Sequence, residues 1–259
     1  MPEHGQPGHG FADEILKQII THWPQARHKF VAGNAVRFWK EIAAGKPVCS
    51  LVLDTPEHTK RASFTPVFLI PPLQLLTRRE LLSQLPQNPS GEVRLPQLLR
   101  QHRLHGLLVK DRSYGDVLDS QLAHASADAG IQWLSTSSIG ATLPKMLNRH
   151  RTDWSIGFDF VLAYLKSKDP ALKDVISVPI EGASAPLVAG YACPRTEWGK
   201  ATSKHIRQLI SDPAMLAKAR SGLEKFLTVE NRRRYKAAFD RFYQQLRQTG
   251  PGGNSSRKR

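Results

Sequence analysis

The sequence of 259 residues contains only two cysteines and no long hydrophobic run. Cys49 and Cys193 lie far apart, and neither belongs to a Cys-x-x-Cys pair, so a zinc site is not expected. Composition alone leaves two buried thiols and one long-range disulfide as alternatives. No stretch approaches the ~18 to 20 apolar residues that a membrane helix needs. Residues 1–10 are polar and rich in glycine and proline, so no signal peptide is visible.

The chain also lacks the short motifs of common catalytic sites. It contains no Gly-x-Ser-x-Gly, no His-Glu-x-x-His and no P-loop. His102 and His105 stand just before a predicted strand, and we interpret them as an incidental pair. The sequence therefore predicts a protein without catalytic residues, metal or cofactor.

Positive charge is abundant. The chain has 37 Lys and Arg against 22 Asp and Glu, a net charge of +15 and a pI near 10.1, which favours acidic partners. The basic residues are spread along the chain, however, and are densest at Arg232–Arg234 and 256–259. This distribution predicts a solvated helix face and a frayed tail, and nucleic acid is not expected as a partner.

Helices and strands alternate in the predicted pattern, which favours an α/β fold with parallel strands. Asn34 caps a helix over 35–44, a buried strand follows over 48–53, and Arg27–Val31 is a candidate short strand. The apolar run 67–77 contains two consecutive prolines, which predict an extended segment passing between two bodies. A second helix–strand set follows, and then three helices, 202–210, 213–226 and 230–247.

Polar residues follow several predicted strands, where ligands bind in open α/β sheets. Asp54, Thr55 and His58 come after the first buried strand. Arg112, Ser113 and Tyr114 come after a strand over 104–109, and Ser137 follows a strand over 131–134. Capping of the next helix by Thr55, Ser113 or Ser137 is the alternative interpretation, and the two roles are compatible. In the ligand interpretation, Tyr114 stacks on the bound molecule.

Three segments together resemble a known family. They are GKPVCSLVLDTPEHTKRASFTP at 45–66, RTDWSIGFDFVLAYL at 151–165 and YACPRTEWG at 191–199. Their order is similar to that in the type 3 solute-binding proteins, the periplasmic amino-acid binders of ABC transporters. The resemblance implies a two-lobed α/β fold of the periplasmic-binding-protein type II class, with C-terminal helices and a solute held between the lobes. It places lobe 1 at 1–76 and 178–250, lobe 2 at 77–177, and a disordered tail at 251–259.

The resemblance also implies a role. The protein is expected to be a periplasmic monomer that binds a small solute without catalysis, for a membrane transporter or a sensor. Closure of the lobes is expected to occur about hinges at 73–77 and 174–179. Members of the family begin with a strand for which residues 1–9 leave no room, so either the sheet lacks a central strand or the true start lies upstream. We favour the second expectation, which would also account for the absent signal peptide.

Two positions depart from the family pattern. His58 stands where amino-acid binders carry an arginine that holds the ligand carboxylate, and an imidazole cannot replace that fork. Arg61 is the candidate for the missing charge. Phe158, with Asp159 beside it, stands where the family carries the aspartate that pairs with the ligand ammonium. The expected solute is therefore apolar or ring-bearing rather than an α-amino acid.

The family layout bears on the cysteines as well. It puts Cys49 at the start of one strand and Cys193 at the end of its antiparallel neighbour, within disulfide reach. A bridge across so long a loop stabilises by roughly 4 to 5 kcal/mol in the chain-entropy model and needs an oxidising compartment.

Three other functions compete with solute binding. A dehydratase-like enzyme of the same fold would use a carboxylate, with Glu57, Asp159 and Glu181 as candidates. A basic nucleic-acid-associated protein would need a clustered cationic face. An intracellular effector-sensing domain would fit the missing signal peptide, but the chain shows no helix-turn-helix.

Overall fold

A computed structural model describes residues 10–31, 33–126, 129–136 and 139–248, and the chain divides into two compact units. The first unit contains the described residues up to Gly33, Arg37–Ile70 and those from Pro186 onward, and the second contains Asn34–Val36 and Pro71–Ala185. Apart from residues 34–36, the chain thus crosses between units at 70–71 and 185–186, whereas the sequence analysis placed the boundaries at 76–77 and 177–178. The predicted disordered tail at 251–259 lies outside the described residues.

The described residues contain eight strands and ten α-helices. The strands are β1 (Ser50–Leu53), β2 (Ser63–Ile70), β3 (Gln74–Arg78), β4 (Gly106–Val109), β5 (Ile131–Leu134), β6 (Trp154–Gly157), β7 (Val175–Val178) and β8 (Leu187–Cys193). The helices are α1 (Phe11–Thr21), α2 (Ala35–Ala43), α3 (Pro56–Arg61), α4 (Leu95–Gln101), α5 (Asp116–Ala123), α6 (Ile139–Asn148), α7 (Asp159–Lys168), α8 (Glu197–Ile210), α9 (Pro213–Glu224) and α10 (Val229–Gln248). Short 3₁₀ helices span Arg79–Gln84 and Pro170–Asp174.

The sheet of the first unit is antiparallel, with strand order β1-β8-β2. Ala192 of β8 lies opposite Ser50 on one side and Phe64 on the other. The expectation of parallel strands was therefore wrong for this unit. The local alternation of helix and strand predicted β1 but could not reveal that a strand from beyond the second unit separates it from β2. The predicted strand at Arg27–Val31 was also wrong, because the chain there makes no strand pairing.

Cys49 and Cys193 are joined by a disulfide, the pairing that the family resemblance implied. Ser50 lies opposite Ala192, so continuing the antiparallel register by one residue brings Cys49 opposite Cys193. Their Cα atoms are 4.4 Å apart, close to the ~4.5 Å of a non-hydrogen-bonded pair in an antiparallel sheet. The bridge therefore joins parts of the first unit that precede and follow the second unit in the chain.

The core of the first unit forms between β2 and the helices. The second half of β2, Val67–Ile70, is buried, and the Phe11 ring of α1 meets Phe68 edge-on at 5.1 Å between ring centroids. Helix α9 begins as the sequence predicted: the Asp212 side chain accepts a hydrogen bond from the Met215 N–H at 3.0 Å, and proline occupies the first helical position. Helix α10 buries one face, at Asn231, Tyr235, Phe239 and Tyr243.

The sheet of the second unit is mixed, with strand order β5-β4-β6-β3-β7. β4 pairs in parallel with β5 and β6, whereas β3 pairs antiparallel with β6 and β7. The segments predicted as hinges, 73–77 and 174–179, largely coincide with β3 and β7, which are hydrogen-bonded to each other within this sheet. The extended character of both segments arises from this sheet pairing, and their role as hinges stays a prediction.

A buried arginine organises one end of this unit. Arg78 is 8% exposed and donates to the carbonyls of Leu147 and Thr152 at 3.1 and 2.7 Å, and to the carboxylates of Glu80 and Asp153 at 2.8 and 3.0 Å. The guanidinium thereby ties the end of α6 and the start of β6 to β3. Four of its five N–H groups make these hydrogen bonds, which compensate the buried charge.

Among the described residues, no helix combines the length and the apolar character needed to cross a membrane.

The disulfide gives the first testable prediction. Reducing it, or making the double variant Cys49→Ser/Cys193→Ser, is expected to lower the free energy of unfolding by up to about 5 kcal/mol, because the bridge closes a loop of 144 residues. Urea unfolding with and without reductant measures the effect. The double variant serves as the control, since reductant should leave its midpoint unchanged. A wild-type midpoint that stays the same after both thiols have become reactive would contradict the prediction.

A pair of glycines tests the register of the first sheet. A Cβ at position 190 would lie 2.1 Å from the Thr65 carbonyl oxygen and 2.7 Å from the Phe64 ring, so Gly190→Ala is expected to cost about 1 to 3 kcal/mol. Gly222 lies inside α9 with nothing within 4 Å of the same atom, and Gly222→Ala is expected to stabilise by about 1 kcal/mol. In thermal unfolding, the Tm of Gly190→Ala is expected to fall and that of Gly222→Ala to rise. A Gly190→Ala protein as stable as the wild type would show that the register is wrong.

Candidate functional site

The carboxyl ends of three parallel strands meet at one edge of the second unit's sheet. Because β4 lies between β5 and β6 and runs parallel to both, the segments that follow these strands leave the sheet at the same edge. Ligands of open α/β sheets bind outside such carboxyl ends. Of the predicted site residues, Arg112, Ser113, Tyr114, Phe158 and Asp159 belong to this edge, whereas Ser137 lies outside the described residues.

The loop between β4 and α5 is held by one carboxylate. Asp119, in the first part of α5, accepts a hydrogen bond from the Ser113 hydroxyl and another from the Tyr114 N–H at 2.7 Å. The Ser113 hydroxyl in turn accepts from the Gly115 N–H at 3.1 Å. Gly115, the N-cap, has a φ of 88°, a conformation that favours glycine. Ser113 is thus committed to shaping the loop, which is the capping-type role left open by the sequence.

Tyr114 belongs to the core of the second unit. Its side chain is 1% exposed, and its hydroxyl oxygen accepts a hydrogen bond from the Val109 N–H at 2.8 Å, at the end of β4. Burial raises the pKa of the Tyr114 hydroxyl, so it stays neutral at physiological pH. The suggestion that this ring stacks on a ligand needs correction, because so little of it reaches solvent. Its role is to support its neighbour Arg112.

Arg112 and Phe158 bring two of the loops together. The guanidinium carbon of Arg112 lies 5.1 Å from the centroid of the Tyr114 ring and 5.8 Å from that of Phe158, which caps α7 directly after β6. The Phe158 ring stacks on the buried ring of Phe160 at 5.2 Å. Burial lowers the pKa of the Arg112 guanidinium, which nevertheless stays protonated at neutral pH. The edge of the sheet thus carries a cation resting on aromatic rings.

Asp159 is the first residue of α7, beside Phe158. A carboxylate in the first turn of a helix is stabilised by the helix dipole. Asp159 is not a free residue, because it also interacts with another part of the protein.

The predicted residues of the first unit are placed differently. The Asp54 N–H donates to the Val188 carbonyl at 2.8 Å, which extends the pairing of β1 with β8. Thr55 is the N-cap of α3, and its hydroxyl accepts from the His58 N–H at 3.2 Å. The capping alternative therefore holds for Thr55, whose side chain is 4% exposed.

His58 is not available as an exposed ligand-binding group. Its side chain is 6% exposed, its Nδ1 bonds the Leu53 carbonyl oxygen at 2.7 Å, and its ring stacks on Trp39 at 4.5 Å between centroids. Arg61 also contacts Trp39, with its guanidinium carbon 4.4 Å from the ring, and pairs with Glu57 at 3.0 Å. The predicted role of His58 in holding a ligand needs correction, because its side chain is buried and engaged within the first unit, whereas that of the exposed Arg61 stays a prediction.

Two residues that organise these clusters escaped the sequence interpretation. Trp39 lies three residues before Ile42 on α2, and both are buried, so the helical spacing marked it only as a core residue. Asp119 lies four residues after the glycine that caps α5, and an acid near a helix start is too common to be singled out.

A separate depression of about 410 Å³ lies at the opposite edge of the second unit's sheet. Its lining includes His105, Gly130, Gln132 and Arg151, at the amino ends of β4 to β6. It therefore does not coincide with the residues predicted to bind a solute. In the described part of the chain, no group of three His, Cys, Asp or Glu side chains is arranged to hold a metal ion.

Comparisons with known proteins identify the fold. No family model matches the chain, and no curated protein sequence matches it. Solved structures do match. An amino-acid ABC transporter substrate-binding protein of Streptococcus pneumoniae, bound to L-arginine, is 13% identical with a TM-score of 0.59, and the match covers 84% of this chain and 83% of that one. The solute receptor for L-cysteine of Neisseria gonorrhoeae is 14% identical with a TM-score of 0.55, covering 84% and 80%.

A third match is a histidine kinase sensor domain with similarity to periplasmic binding proteins. It is 15% identical with a TM-score of 0.53, and the match covers 94% of this chain and 86% of that one. At these identities the likeness concerns the fold. The chain has the α/β fold of the periplasmic solute-binding proteins, and the fold class predicted from the sequence is confirmed.

The loop geometry of the second unit gives a testable prediction. Asp119→Ala removes the acceptor of two hydrogen bonds and is expected to destabilise the protein by about 2 to 4 kcal/mol. Asp116, exposed in the first turn of the same helix, makes no side-chain hydrogen bond within the described part of the chain. Asp116→Ala is therefore the matched control, with an expected loss of about 0.3 to 1 kcal/mol from the helix dipole. Equal losses in urea unfolding would show that Asp119 does not hold the loop.

Proposed function

We propose that this protein binds a small solute without catalysis, as the binding component of a membrane transporter or of a sensor. The proposal rests on the arrangement at the carboxyl edge of the second unit's sheet, where Arg112 from one loop lies over Phe158 from another. A cation and an aromatic ring brought together from separate loops offer both a polar and an apolar contact to a bound molecule. Enclosure of the solute by both halves of the protein stays a prediction.

The names of the similar solved structures support a membrane transporter or a sensor as the partner. Two are named as a transporter substrate-binding protein and a solute receptor, and a third as the sensor domain of a histidine kinase. We therefore propose a membrane transporter or a sensor as the partner of this chain. The predicted monomeric state stays a prediction.

The proposed location is the periplasm. Its support is the disulfide between Cys49 and Cys193, since such bridges persist in oxidising compartments. The bridge lies in the antiparallel register of the first sheet, so it is part of the folded architecture. An oxidising compartment also suits a protein whose partner takes up or senses external solutes.

Binding is favoured over turnover by the state of the carboxylates. Glu57 pairs with Arg61 at 3.0 Å. Glu181 accepts a hydrogen bond from the Asn88 amide at 2.9 Å and lies 3.8 Å from Arg94. Two of the three carboxylates that a dehydratase-like enzyme would use are thus engaged at the protein surface.

A ligand screen tests the proposal. A solute at a hundred times its Kd is expected to stabilise the protein by about 2.7 kcal/mol, which raises its Tm measurably in a thermal-shift panel of metabolites. In Phe158→Ala the shift, measured from that variant's own baseline, should shrink or vanish. Tyr164→Ala, which removes an exposed aromatic side chain of α7 in the same unit, should keep the full shift. A panel in which no compound raises the Tm, or equal shifts in all three proteins, would refute the proposal.

A further inference from the structure

In the described part of the chain, no carboxylate lies within ion-pair distance of Arg112, although Asp119 attracts its charge from further away. Its guanidinium is half-buried and lies over two aromatic rings, yet it makes no hydrogen bond or ion pair there. Asp119 is the nearby acid, but its two carboxylate oxygens accept from Ser113 and from the Tyr114 N–H. Within the described part of the chain, the N–H donors of Arg112 thus have no hydrogen-bonding partner.

Other partly or fully buried arginines of this chain are paired. Arg78 donates to two carboxylates and two carbonyls, and Arg220 bridges Glu224 and Asp240, each at 2.7 Å. Desolvating an arginine without such partners destabilises a protein. Unlike Arg78 and Arg220, Arg112 pairs with no carboxylate in the described part of the chain. It lies at the carboxyl edge of the second unit's sheet, where ligands of open α/β sheets bind.

The chemistry of the guanidinium indicates what completes it. The two aromatic rings attract the cation but offer no oxygen acceptor to its N–H groups. Two parallel N–H groups match the two oxygens of a carboxylate or phosphate. The alternative cations of the first unit are engaged, His58 with Leu53 and Trp39, and Arg61 with Glu57. Of the three basic side chains predicted to bind the solute, Arg112 is thus the one that makes no hydrogen bond or ion pair in the described part of the chain.

We infer that the solute is an organic oxyanion with an apolar or aromatic body. Its carboxylate or phosphate is held by Arg112, and its body lies against Phe158. This inference rests on the proposed function and names the class of solute. The solute does not need an ammonium group, because the side chain that Arg112 meets on the other loop is that of Phe158 and not a carboxylate.

Five phenyl compounds that differ in their polar group test the inference by calorimetry. They are phenylpropanoate, phenyl phosphate, phenylalanine, phenylethylamine and phenylpropanol. The two oxyanions are expected to bind at least about tenfold more tightly than the neutral alcohol and the amine, because charge-assisted hydrogen bonds are about twice as strong as neutral ones. The ratio between phenylpropanoate and phenyl phosphate tells a carboxylate ligand from a phosphate ligand. A preference for phenylalanine that Asp159→Asn abolishes would overturn the inference.

Substitution of Arg112 tests the assigned residue. Arg112→Gln is expected to weaken oxyanion binding by about 10- to 100-fold, and Arg112→Lys by less, since lysine keeps the charge but loses the fork. Arg151→Gln is the matched control. It removes an exposed cation of the same unit at the opposite edge of the sheet and should leave affinity unchanged. The ligand-free Arg112→Gln protein is expected to be at least as stable as the wild type, because it loses a desolvated charge; a purely structural arginine would give a less stable protein.

The outcomes separate this inference from the proposed function. If no compound binds, including those in the broader metabolite panel, the proposed function fails. If solutes bind but the tightest are amines or neutral molecules, solute binding stands and the oxyanion class is wrong. If oxyanions bind equally to wild type and Arg112→Gln, the class stands, and the assignment of Arg112 is wrong.

Discussion

The first unit depends on the insertion of β8 between β1 and β2. β1 and β2 both precede residues 71–185 of the second unit in the chain. β8, with which each of them pairs, follows those residues. The sheet can therefore form only after the chain has returned, and closing so long a loop costs conformational entropy. Two features offset that cost or make the pairing possible. The missing side chain of Gly190 lets β2 approach, and the Cys49–Cys193 bridge limits the freedom of the unfolded chain.

The second unit is built from nearly continuous sequence, and that continuity lets its sheet edge serve as a rigid support. Tyr114 anchors its loop to the end of β4, and Asp119 fixes the backbone between them. These contacts orient Arg112 without neutralising it at hydrogen-bonding distance. An unsatisfied cation works against stability, and natural proteins keep such exceptions mainly where function requires them. The same edge therefore combines a well-determined backbone with one residue left electrostatically incomplete.

The sequence predicted local structure well and long-range pairing poorly. Asp212-Pro213 marked the start of α9 because capping chemistry is contained within a few residues. The antiparallel place of β8 depends on residues far apart in the chain, and only the family resemblance implied that Cys49 and Cys193 meet. The failure at His58 has the same cause. Its residue type and position suggested a ligand contact, but its burial is decided by Trp39 on another helix. That Arg112 lacks a partner is likewise invisible until all its neighbours are placed.

A shared fold does not carry a shared ligand, and this chain illustrates the distinction physically. At 13% identity to an arginine-bound protein, the overall fold is retained. Loop side chains vary more readily than core side chains, and it is on loops that binding residues are most often found. Here the first-unit imidazole is packed on a tryptophan, whereas Arg112 in the second unit lies over aromatic rings with no ion pair in the described part of the chain. The side chains of these loops, and not the fold, are therefore what determine the chemical group that the proposed site would accept.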